Sequence, residues 1–151
     1  MADERREKMM ADLQRAIEIA VEAHKGQRQK NGLPYVLHPF TLMLSVQSEE
    51  AKIAAVLHDV VEDTHWTMAA IEAEGFSPKV MEALNCLTHR DGEDYEAYID
   101  RLHGNRLARE VKQADLIDNM NIRRIPELRE NDLHRLKKYH IAWHKLAGED
   151  A

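Results

Sequence analysis

The chain has 151 residues, of which 44% are apolar and 32% charged, with a formal net charge of −6. This length predicts a single domain, residues 1–151, with a self-sufficient hydrophobic core. The negative charge argues against a nucleic-acid partner bound through phosphate contacts. No apolar run approaches the roughly 20 residues that span a bilayer, so we expect no membrane span. The charged N-terminus is unlike a signal peptide, and one cysteine, Cys86, cannot form an internal disulfide, which predicts a cytoplasmic protein.

Helical periodicity fills almost every interval between the prolines and glycines. No segment alternates in the manner of a strand, so the fold class is expected to be all-α. Ser48, Thr67 and Ser77 are expected to cap three helices, Pro39 to begin one, and Asn131 or Asp132 to cap the last. The predicted helices cover residues 9–25, 40–46, 49–62, 68–74, 78–89, 95–103, 107–123 and 132–147.

Four polar groups interrupt the apolar run of the third predicted helix, namely His58, Asp59, Glu62 and Asp63. Helical spacing would stack His58 over Glu62 and Asp59 over Asp63. Carboxylates in a buried segment are costly unless a cation or strong donors hold them. A divalent metal is the simplest such cation, and we favour it over a structural network of ion pairs.

A divalent metal needs more ligands than this tetrad supplies. Asp115 is a candidate, with Asn119 one turn later on the same predicted helix. His24 and His38 are candidates upstream, and spacing alone does not decide between them. A mixed nitrogen and oxygen set suits Mn, Fe or Zn rather than Ca. Such a centre can activate water and hold a phosphoryl oxygen. Asp118, by contrast, is expected to be a solvated helix residue.

Three segments together resemble the HD-domain phosphohydrolases, specifically the hydrolase domain of the Rel/Spo stringent-response proteins and small stand-alone alarmone hydrolases. They are AHKGQRQKNGLPYVLHP (23–39), LHDVVEDT (57–64) and KQADLIDNM (112–120), in the family's order. That family removes the 3′-diphosphate from (p)ppGpp with one Mn ion. The resemblance therefore implies a compact HD-type bundle of about seven to eight helices, a metal-dependent phosphohydrolase, and a small nucleotide as its substrate.

The resemblance also implies roles for the matching residues. The family's ligand is the histidine that precedes a proline, so His24 becomes a structural or supporting residue. The implied metal ligands are His38, His58, Asp59 and Asp115. The implied catalytic pair, which orients and deprotonates the attacking water, is Glu62 and Asp63. The residues assigned to the substrate are Arg28, Lys30, Asn31 and Asn119. The implied metal is Mn, with Fe and Zn as alternatives.

The chain departs from the family pattern near the nucleotide. The family has an arginine at the position of Gln29, a serine at Asn31 and a threonine at Ile122. Arg28 would compensate for Gln29 if the loop shifts. The family's alanine-aspartate-arginine-leucine-histidine-asparagine run reads ADLIDN (114–119), which lacks the basic residue and the histidine. We therefore expect intact chemistry and an altered base and sugar pocket.

Two other functions stay open at this point. An HD-type nucleotidase acting on (deoxy)nucleoside phosphates would keep the metal chemistry, and the departures near the nucleotide favour it. A non-catalytic nucleotide- or metal-binding module is the second, and the presence of Glu62 and Asp63 argues against it. No segment of the 151 residues resembles a synthetase domain, so a pyrophosphokinase activity is not expected. A homo-oligomer formed through the last helix is left open.

Overall fold

The computed structural model describes residues 11–148, and within that range nine α-helices and one 3₁₀ helix form the fold. Only an isolated antiparallel bridge, between Arg28 and Pro34, adds extended pairing there. The prediction of an all-α fold is confirmed. No helix in the described range is long and apolar enough to cross a membrane. The elements are α1 Leu13–Ala23, α2 Leu37–Ser45, α3 Glu49–Leu57, α4 Val60–Asp63, α5 Met68–Ala73, α6 Pro78–Leu87, α7 Tyr95–His103, α8 Arg106–Asn119, the 3₁₀ helix Ile122–Arg124 and α9 Glu130–Ala147.

Helix α3 lies at the centre of the fold and packs against α1, α2, α6 and α8. Its residues are buried almost without interruption because they belong to two hydrophobic clusters at once. Ala51, Ala54 and Ala55 join a cluster with α7, α8 and α9, whereas Val56 and Leu57 join one with α1 and α6. The small alanine side chains let neighbouring helices approach closely. The C-terminal end of α3 therefore lies in the middle of the molecule.

The predicted caps of three helices are confirmed. The side-chain oxygens of Ser48, Thr67 and Ser77 accept hydrogen bonds from the backbone N–H three residues later. The prediction for the last helix is wrong, since α9 begins after Arg129. Asp132 lies in the first turn instead, and its carboxylate accepts the backbone N–H of Arg129 at 3.0 Å. The first predicted helix begins partly outside the described residues, since residues 9 and 10 lie there.

Two predicted helices are interrupted, and both interruptions place residues of the site. The predicted helix 49–62 breaks at His58 and Asp59. The His58 ring bonds to the carbonyl of Ala55 at 2.6 Å, an acceptor that the helix ladder would otherwise use. The predicted helix 107–123 ends at Asn119 and continues as the 3₁₀ helix. There the Asn121 side chain accepts the backbone N–H of Arg123 at 3.2 Å, a local bond that competes with the helix.

The 26–36 loop connects α1 to α2 and folds back on itself. Gly26 and Gly32 both have a φ of +85°, a backbone conformation that a side chain disfavours. The Gln29 N–H donates to the Leu33 carbonyl at 2.8 Å, and this hydrogen bond closes the turn between Gln29 and Leu33. Helix α2 then begins at Leu37, two residues before Pro39, which was expected to begin it. His38 therefore lies within the first turn of the helix, and its ring points into the protein interior.

Candidate functional site

Three buried residues from three elements meet at the centre of the molecule. His38 comes from α2, His58 from the turn that ends α3, and Asp115 from α8. One ligand atom from each lies within 4.8 Å of the other two. The His38 Nε2 atom is 2.8 Å from Asp115 Oδ1, and the His58 Nε2 atom is 3.4 Å from that same oxygen. We call these three residues the metal cluster.

Asp59, the fourth predicted ligand, adjoins the metal cluster. Its Oδ2 atom lies 2.9 Å from His58 Nε2. The Tyr35 hydroxyl donates a 2.5 Å hydrogen bond to the same carboxylate oxygen. Tyr35 also lies against the ring of His24, at 5.0 Å between centroids. His24 is buried outside the cluster, and its Nδ1 atom contacts Gln27 Oε1 at 2.8 Å. Its supporting role, implied by the resemblance, stays a prediction.

The protonation of His58 indicates why this geometry suits a cation. The carbonyl of Ala55 can only accept, so the Nδ1 atom of His58 carries a hydrogen, and in the neutral ring the Nε2 atom carries a lone pair. That buried Nε2 atom has no hydrogen-bond donor among the described residues. It faces Asp59 Oδ2 and Asp115 Oδ1, which are acceptors as well. Three converging lone pairs in a buried site fit a divalent metal.

The pKa shifts show that the cluster attracts positive charge. Burial alone would lower the pKa of His58, but Asp59 and Asp115 outweigh it and hold the pKa well above its ordinary value. Burial would likewise lower the pKa of His38, and the bonds to Asp115 and Asp118 raise it instead. Two carboxylates in a buried space therefore favour either two protonated rings or a bound cation.

Lys112 neutralises part of the charge of Asp115. Its Nζ atom donates to Asp115 Oδ2 at 2.7 Å, from one helical turn earlier. Burial would raise the pKa of Asp115, but the Lys112 ammonium, together with the bonds from the two histidines, holds that pKa well below its usual range. Asn119 donates to the other oxygen at 3.0 Å. Asp115 therefore stays ionised, with one oxygen held by Lys112 and the other turned toward the histidines.

The expectation that Asp118 is solvated is wrong. Asp118 is buried, and its Oδ2 atom lies 2.6 Å from His38 Nδ1. The same oxygen forms an ion pair with Arg124 at 3.0 Å. Because α8 turns Asp115 and Asp118 toward the same ring, one carboxylate faces each nitrogen of His38. A carboxylate on the far nitrogen fixes the ring orientation and raises its basicity toward a metal.

Glu62 and Asp63 occupy the short helix α4, directly after the break at His58 and Asp59. Both side chains are exposed, in contrast to the cluster. Glu62 Oε1 accepts the backbone N–H of His89, which links α4 to the segment that follows α6. Burial, together with the charges of Asp59 and Glu62, raises the pKa of Asp63. The four polar groups therefore divide into the buried His58 with the half-buried Asp59, and an exposed pair, instead of lying along one continuous helix.

A cavity of about 240 Å³ opens beside the metal cluster, between the 26–36 loop, the end of α8 and the start of α9. We call it the nucleotide cavity. Its lining is rich in cationic and hydrogen-bonding side chains: Arg28, Gln29, Lys30, Tyr35, Asn119, Asn121, Arg124, Ile125, Asp132, Arg135, Leu136 and Tyr139. Three of the four residues assigned to the substrate line it. The fourth, Asn31, is exposed on the loop, where its side chain accepts the backbone N–H of Leu33 at 3.1 Å.

The sequence patterns missed two cationic residues of this cavity, Arg124 and Arg135. Arg124 fell beyond the end of a predicted helix that does not continue to it. Arg135 lies in α9, which reaches the 26–36 loop only through contacts between residues far apart in the sequence. Lys30 bonds Asp132 at 2.5 Å across 102 residues of sequence. Periodicity describes neighbours along one helix, so it carried no signal for either residue.

The sequence profile described as the HD domain matches residues 16–125, which include the metal cluster. The chain belongs to the HD domain family. Two curated relatives are named guanosine-3′,5′-bis(diphosphate) 3′-pyrophosphohydrolase. The one from Aquifex aeolicus is 38% identical over 81 residues, which cover 51% of this chain and 12% of that protein. The one from Borreliella burgdorferi is 32% identical over 110 residues, which cover 70% of this chain and 15% of that protein.

A third relative of the HD domain is a probable GTP pyrophosphokinase from Mycobacterium leprae, 30% identical over 126 residues, with 74% of this chain and 16% of that protein covered. The chain thus spans less than a fifth of each of these relatives. A solved structure, of a metazoan ortholog of SpoT described as hydrolysing ppGpp, superimposes with a TM-score of 0.75 at 23% identity. That match covers 93% of this chain and 88% of the other, so the fold extends over nearly the whole molecule.

Proposed function

We propose that this HD domain is a metal-dependent phosphohydrolase of phosphorylated nucleotides, with guanosine 3′,5′-bis(diphosphate) as its substrate. One observation carries the proposal: the buried lone pair of His58 converges with the carboxylates of Asp59 and Asp115 beside a cavity lined by cations. A buried anionic cluster suits a metal, and the neighbouring cationic cavity suits phosphates. Two curated relatives that carry the name of this pyrophosphohydrolase support the choice of substrate.

The proposed ligands are His38, His58, Asp59 and Asp115, and the proposed metal is Mn. When bound there, the metal would polarise a phosphate oxygen and lower the pKa of a coordinated water. Asp118 would hold His38 through Nδ1, and Ala55 would hold His58 in the same way. Both rings are therefore pre-oriented by protein groups before any ligand binds.

Glu62 and Asp63 would position the attacking water and receive its proton. The oxygen of that water attacks the phosphorus bonded to the 3′ oxygen of the ribose. The bond between that phosphorus and the 3′ oxygen breaks, and the leaving 3′ oxygen takes up a proton to become the ribose hydroxyl. The products are guanosine 5′-diphosphate and pyrophosphate. The raised pKa of Asp63 makes its carboxylate a stronger base than an ordinary aspartate, which supports this assignment.

Arg28, Lys30, Asn31 and Asn119 are proposed to bind the substrate. Asn119 lies beside the metal cluster, because its amide donates to the proposed ligand Asp115 at 3.0 Å. Lys30 and Arg28 reach the cavity from the 26–36 loop. The proposal further includes a single domain, a cytoplasmic location and, as an open option, a homo-oligomer.

A nucleotidase acting on nucleoside monophosphates is the second candidate function. It is favoured by Gln29, whose side-chain oxygen is taken up by Arg124 at 2.9 Å, so this position offers the substrate no cation. A smaller set of phosphate contacts would suit a substrate with fewer phosphates. Both candidate functions use the metal cluster in the same way. They differ only in the nucleotide that the cavity binds.

The test is a hydrolysis screen of the purified chain with added Mn. Guanosine 3′,5′-bis(diphosphate) is compared with nucleoside mono-, di- and triphosphates, and the released phosphates are identified. Release of pyrophosphate from the 3′ position supports the first candidate, and release of phosphate from monophosphates supports the second. A protein that binds no transition metal, or hydrolyses none of these nucleotides, contradicts both. If hydrolysis survives unchanged in Glu62→Gln, the assigned role of Glu62 is wrong.

A further inference from the structure

Arg124 lies at the junction between the nucleotide cavity and the metal cluster. Its side chain lines the cavity and is 23% exposed. The Nη1 atom is 3.0 Å from Asp118 Oδ2, and that oxygen is 2.6 Å from His38 Nδ1. Nη1 also donates to the Asp118 carbonyl at 3.0 Å. One carboxylate therefore separates this guanidinium from a proposed metal ligand.

The other edge of the guanidinium is held by Gln29, which lies 95 residues earlier in the chain. The Nε and Nη2 atoms of Arg124 donate to Gln29 Oε1 at 3.1 and 2.9 Å. Gln29 is itself anchored, because its Nε2 atom donates to the Pro34 carbonyl at 3.3 Å and its backbone N–H to Leu33. An amide oxygen is neutral, so it orients the guanidinium without cancelling its charge.

These contacts leave part of the guanidinium available to a ligand. Arginine has five N–H donors in a fixed fork. The Nε hydrogen and one Nη2 hydrogen bond Gln29. Nη1 is occupied by the Asp118 carbonyl, the ion pair with Asp118 Oδ2 and a 3.5 Å hydrogen bond to Asn119 Oδ1, so the second hydrogen of Nη2 remains for a group in the cavity. The other cations of the cavity have other partners: Lys30 bonds Asp132, Arg135 lies 3.7 Å from the same carboxylate, and Arg28 donates to the Gly32 carbonyl at 3.0 Å.

We infer that Arg124, oriented by Gln29, binds a phosphate group of the nucleotide and is a specificity-determining residue of this HD domain. The inference rests on the proposed function for the identity of the ligand. It assigns the contact to the phosphate rather than to the base, because a planar, charged fork suits phosphate oxygens. A purely positioning role, in which Arg124 acts on His38 through Asp118, is the competing explanation.

The test compares Arg124→Gln and Arg124→Lys with Arg123→Gln. Arg123 is a matched control, because it is the neighbouring arginine of the same 3₁₀ helix, is exposed, and donates to Asn121 at 3.1 Å. The measurements are kcat and KM for guanosine 3′,5′-bis(diphosphate), inhibition by guanosine 5′-diphosphate and by guanosine, and bound metal.

Arg124→Gln should weaken inhibition by the diphosphate about tenfold or more, since it removes a charged hydrogen bond, and should raise KM similarly. Inhibition by guanosine should change less than about twofold, because guanosine carries no phosphate for the fork to bind. The KM of Arg124→Lys and its inhibition by the diphosphate should lie between those of the wild type and Arg124→Gln, since lysine keeps the charge and lacks the fork. Arg123→Gln should match the wild type. Bound metal should be unchanged in all of them.

Two results would overturn the inference. If Arg124→Gln loses metal and kcat while binding the diphosphate normally, the residue acts only through Asp118. If guanosine binding falls as much as diphosphate binding, the contact is to the base or sugar. Thermal unfolding shows whether each variant is folded, and Arg124→Lys carries the comparison if Arg124→Gln is not.

An exchange of the two side chains tests the role of Gln29. Gln29→Arg alone should weaken diphosphate binding, because it removes the acceptor and places two guanidiniums together. Gln29→Arg with Arg124→Gln should recover part of that loss, whereas a double variant no better than the weaker single variant contradicts the pairing. Calorimetric binding of the diphosphate needs no turnover. A wild type that binds it without hydrolysing any nucleotide therefore refutes the proposed function and leaves this inference testable.

Discussion

The metal cluster and the nucleotide cavity adjoin each other, yet different kinds of contact hold them in place. The side chains of His38, His58 and Asp115 are each no more than about 5% exposed, and each is fixed by a second protein group. The cavity is lined by longer side chains, and Lys30 and Arg124 are fixed by partners 102 and 95 residues away in the sequence. Burial holds the side chains of the metal cluster in place, whereas pairs of polar side chains on separate segments hold those of the cavity.

Because of this difference, substitutions in the two regions should affect different properties of the protein. A substitution in the metal cluster leaves a buried charge or lone pair without its partner, so it affects metal binding and turnover together. A substitution in the cavity exchanges one partly exposed polar contact for another and affects affinity for the substrate. The same chemistry could therefore be kept while the nucleotide changes. The predictions below test this division.

The largest effect is expected for His58→Gln, which removes a proposed ligand at the centre of the cluster. Loss of several kcal/mol of charge stabilisation, at about 1.4 kcal/mol per tenfold, predicts a fall in kcat/KM of about a thousandfold or more. Bound Mn, measured by elemental analysis, should fall as well. His134→Gln is the control, because His134 is an exposed histidine on α9. Retention of both metal and turnover would show that His58 is not a ligand.

Asp63→Asn should lower kcat about a hundredfold or more while leaving bound metal unchanged, since loss of general-base catalysis typically costs this much. The split between turnover and metal content is the informative result. Asp63 is exposed, and its neighbours raise its pKa without fixing it in the cluster. Glu72→Gln, an exposed carboxylate of α5, is the matched control. A kcat equal to that of the control would remove Asp63 from the mechanism.

Asp118→Asn should reduce affinity for Mn about tenfold to a hundredfold, the usual effect of losing a carboxylate that orients a ligating histidine. The amide can still accept the Nδ1–H of His38, but it carries no charge to strengthen the ring as a ligand. Titration of the metal-stripped protein with Mn, followed by thermal unfolding, measures the affinity. Unchanged affinity would mean that Asp118 serves Arg124 alone.

The sequence predicted the metal cluster more completely than the cavity, and the reason is physical. Histidine and aspartate within an apolar run are anomalous, so His58 and Asp59 were recognisable before any contact was known. Asp115 was only a candidate on its own helix, and the family resemblance chose His38 over His24. These residues meet in the structure because the helices that carry them have periodic apolar faces and pack against each other. The roles of these residues as ligands and of Glu62 and Asp63 in catalysis stay predictions.

Arg124 and Asp118 were not recognisable in the same way. An arginine or aspartate in a polar helix is ordinary, and its role depends on which segment packs against it. The break after Asn119 decides where Arg124 lies, and a local side-chain bond from Asn121 accompanies that break. Helix existence was predicted correctly there and helix length was not. Sequence patterns therefore fail to predict which residues belong to the site mainly at the ends of helices.

The smallest effect is expected for Asp132→Asn, which releases Lys30 from its 2.5 Å ion pair. The cavity becomes more positive, so KM should fall about twofold to threefold, since a single ion pair with one exposed partner is worth little. Glu130→Gln removes a carboxylate from the same turn of α9 and is the control.

The same substitution also tests how the stability of the fold depends on pH. Hydrogen bonds from Lys30 and from the Arg129 N–H hold the pKa of Asp132 below its ordinary value. A lowered pKa stabilises the fold above the unfolded pKa, and this contribution is lost as the pH falls through the folded one. The small stability advantage of the wild type over Asp132→Asn, measured by urea unfolding, should therefore be present at pH 7 and disappear below the pKa of Asp132. An advantage that persists in acid would show that the carboxylate acts through packing of α9 and not through Lys30.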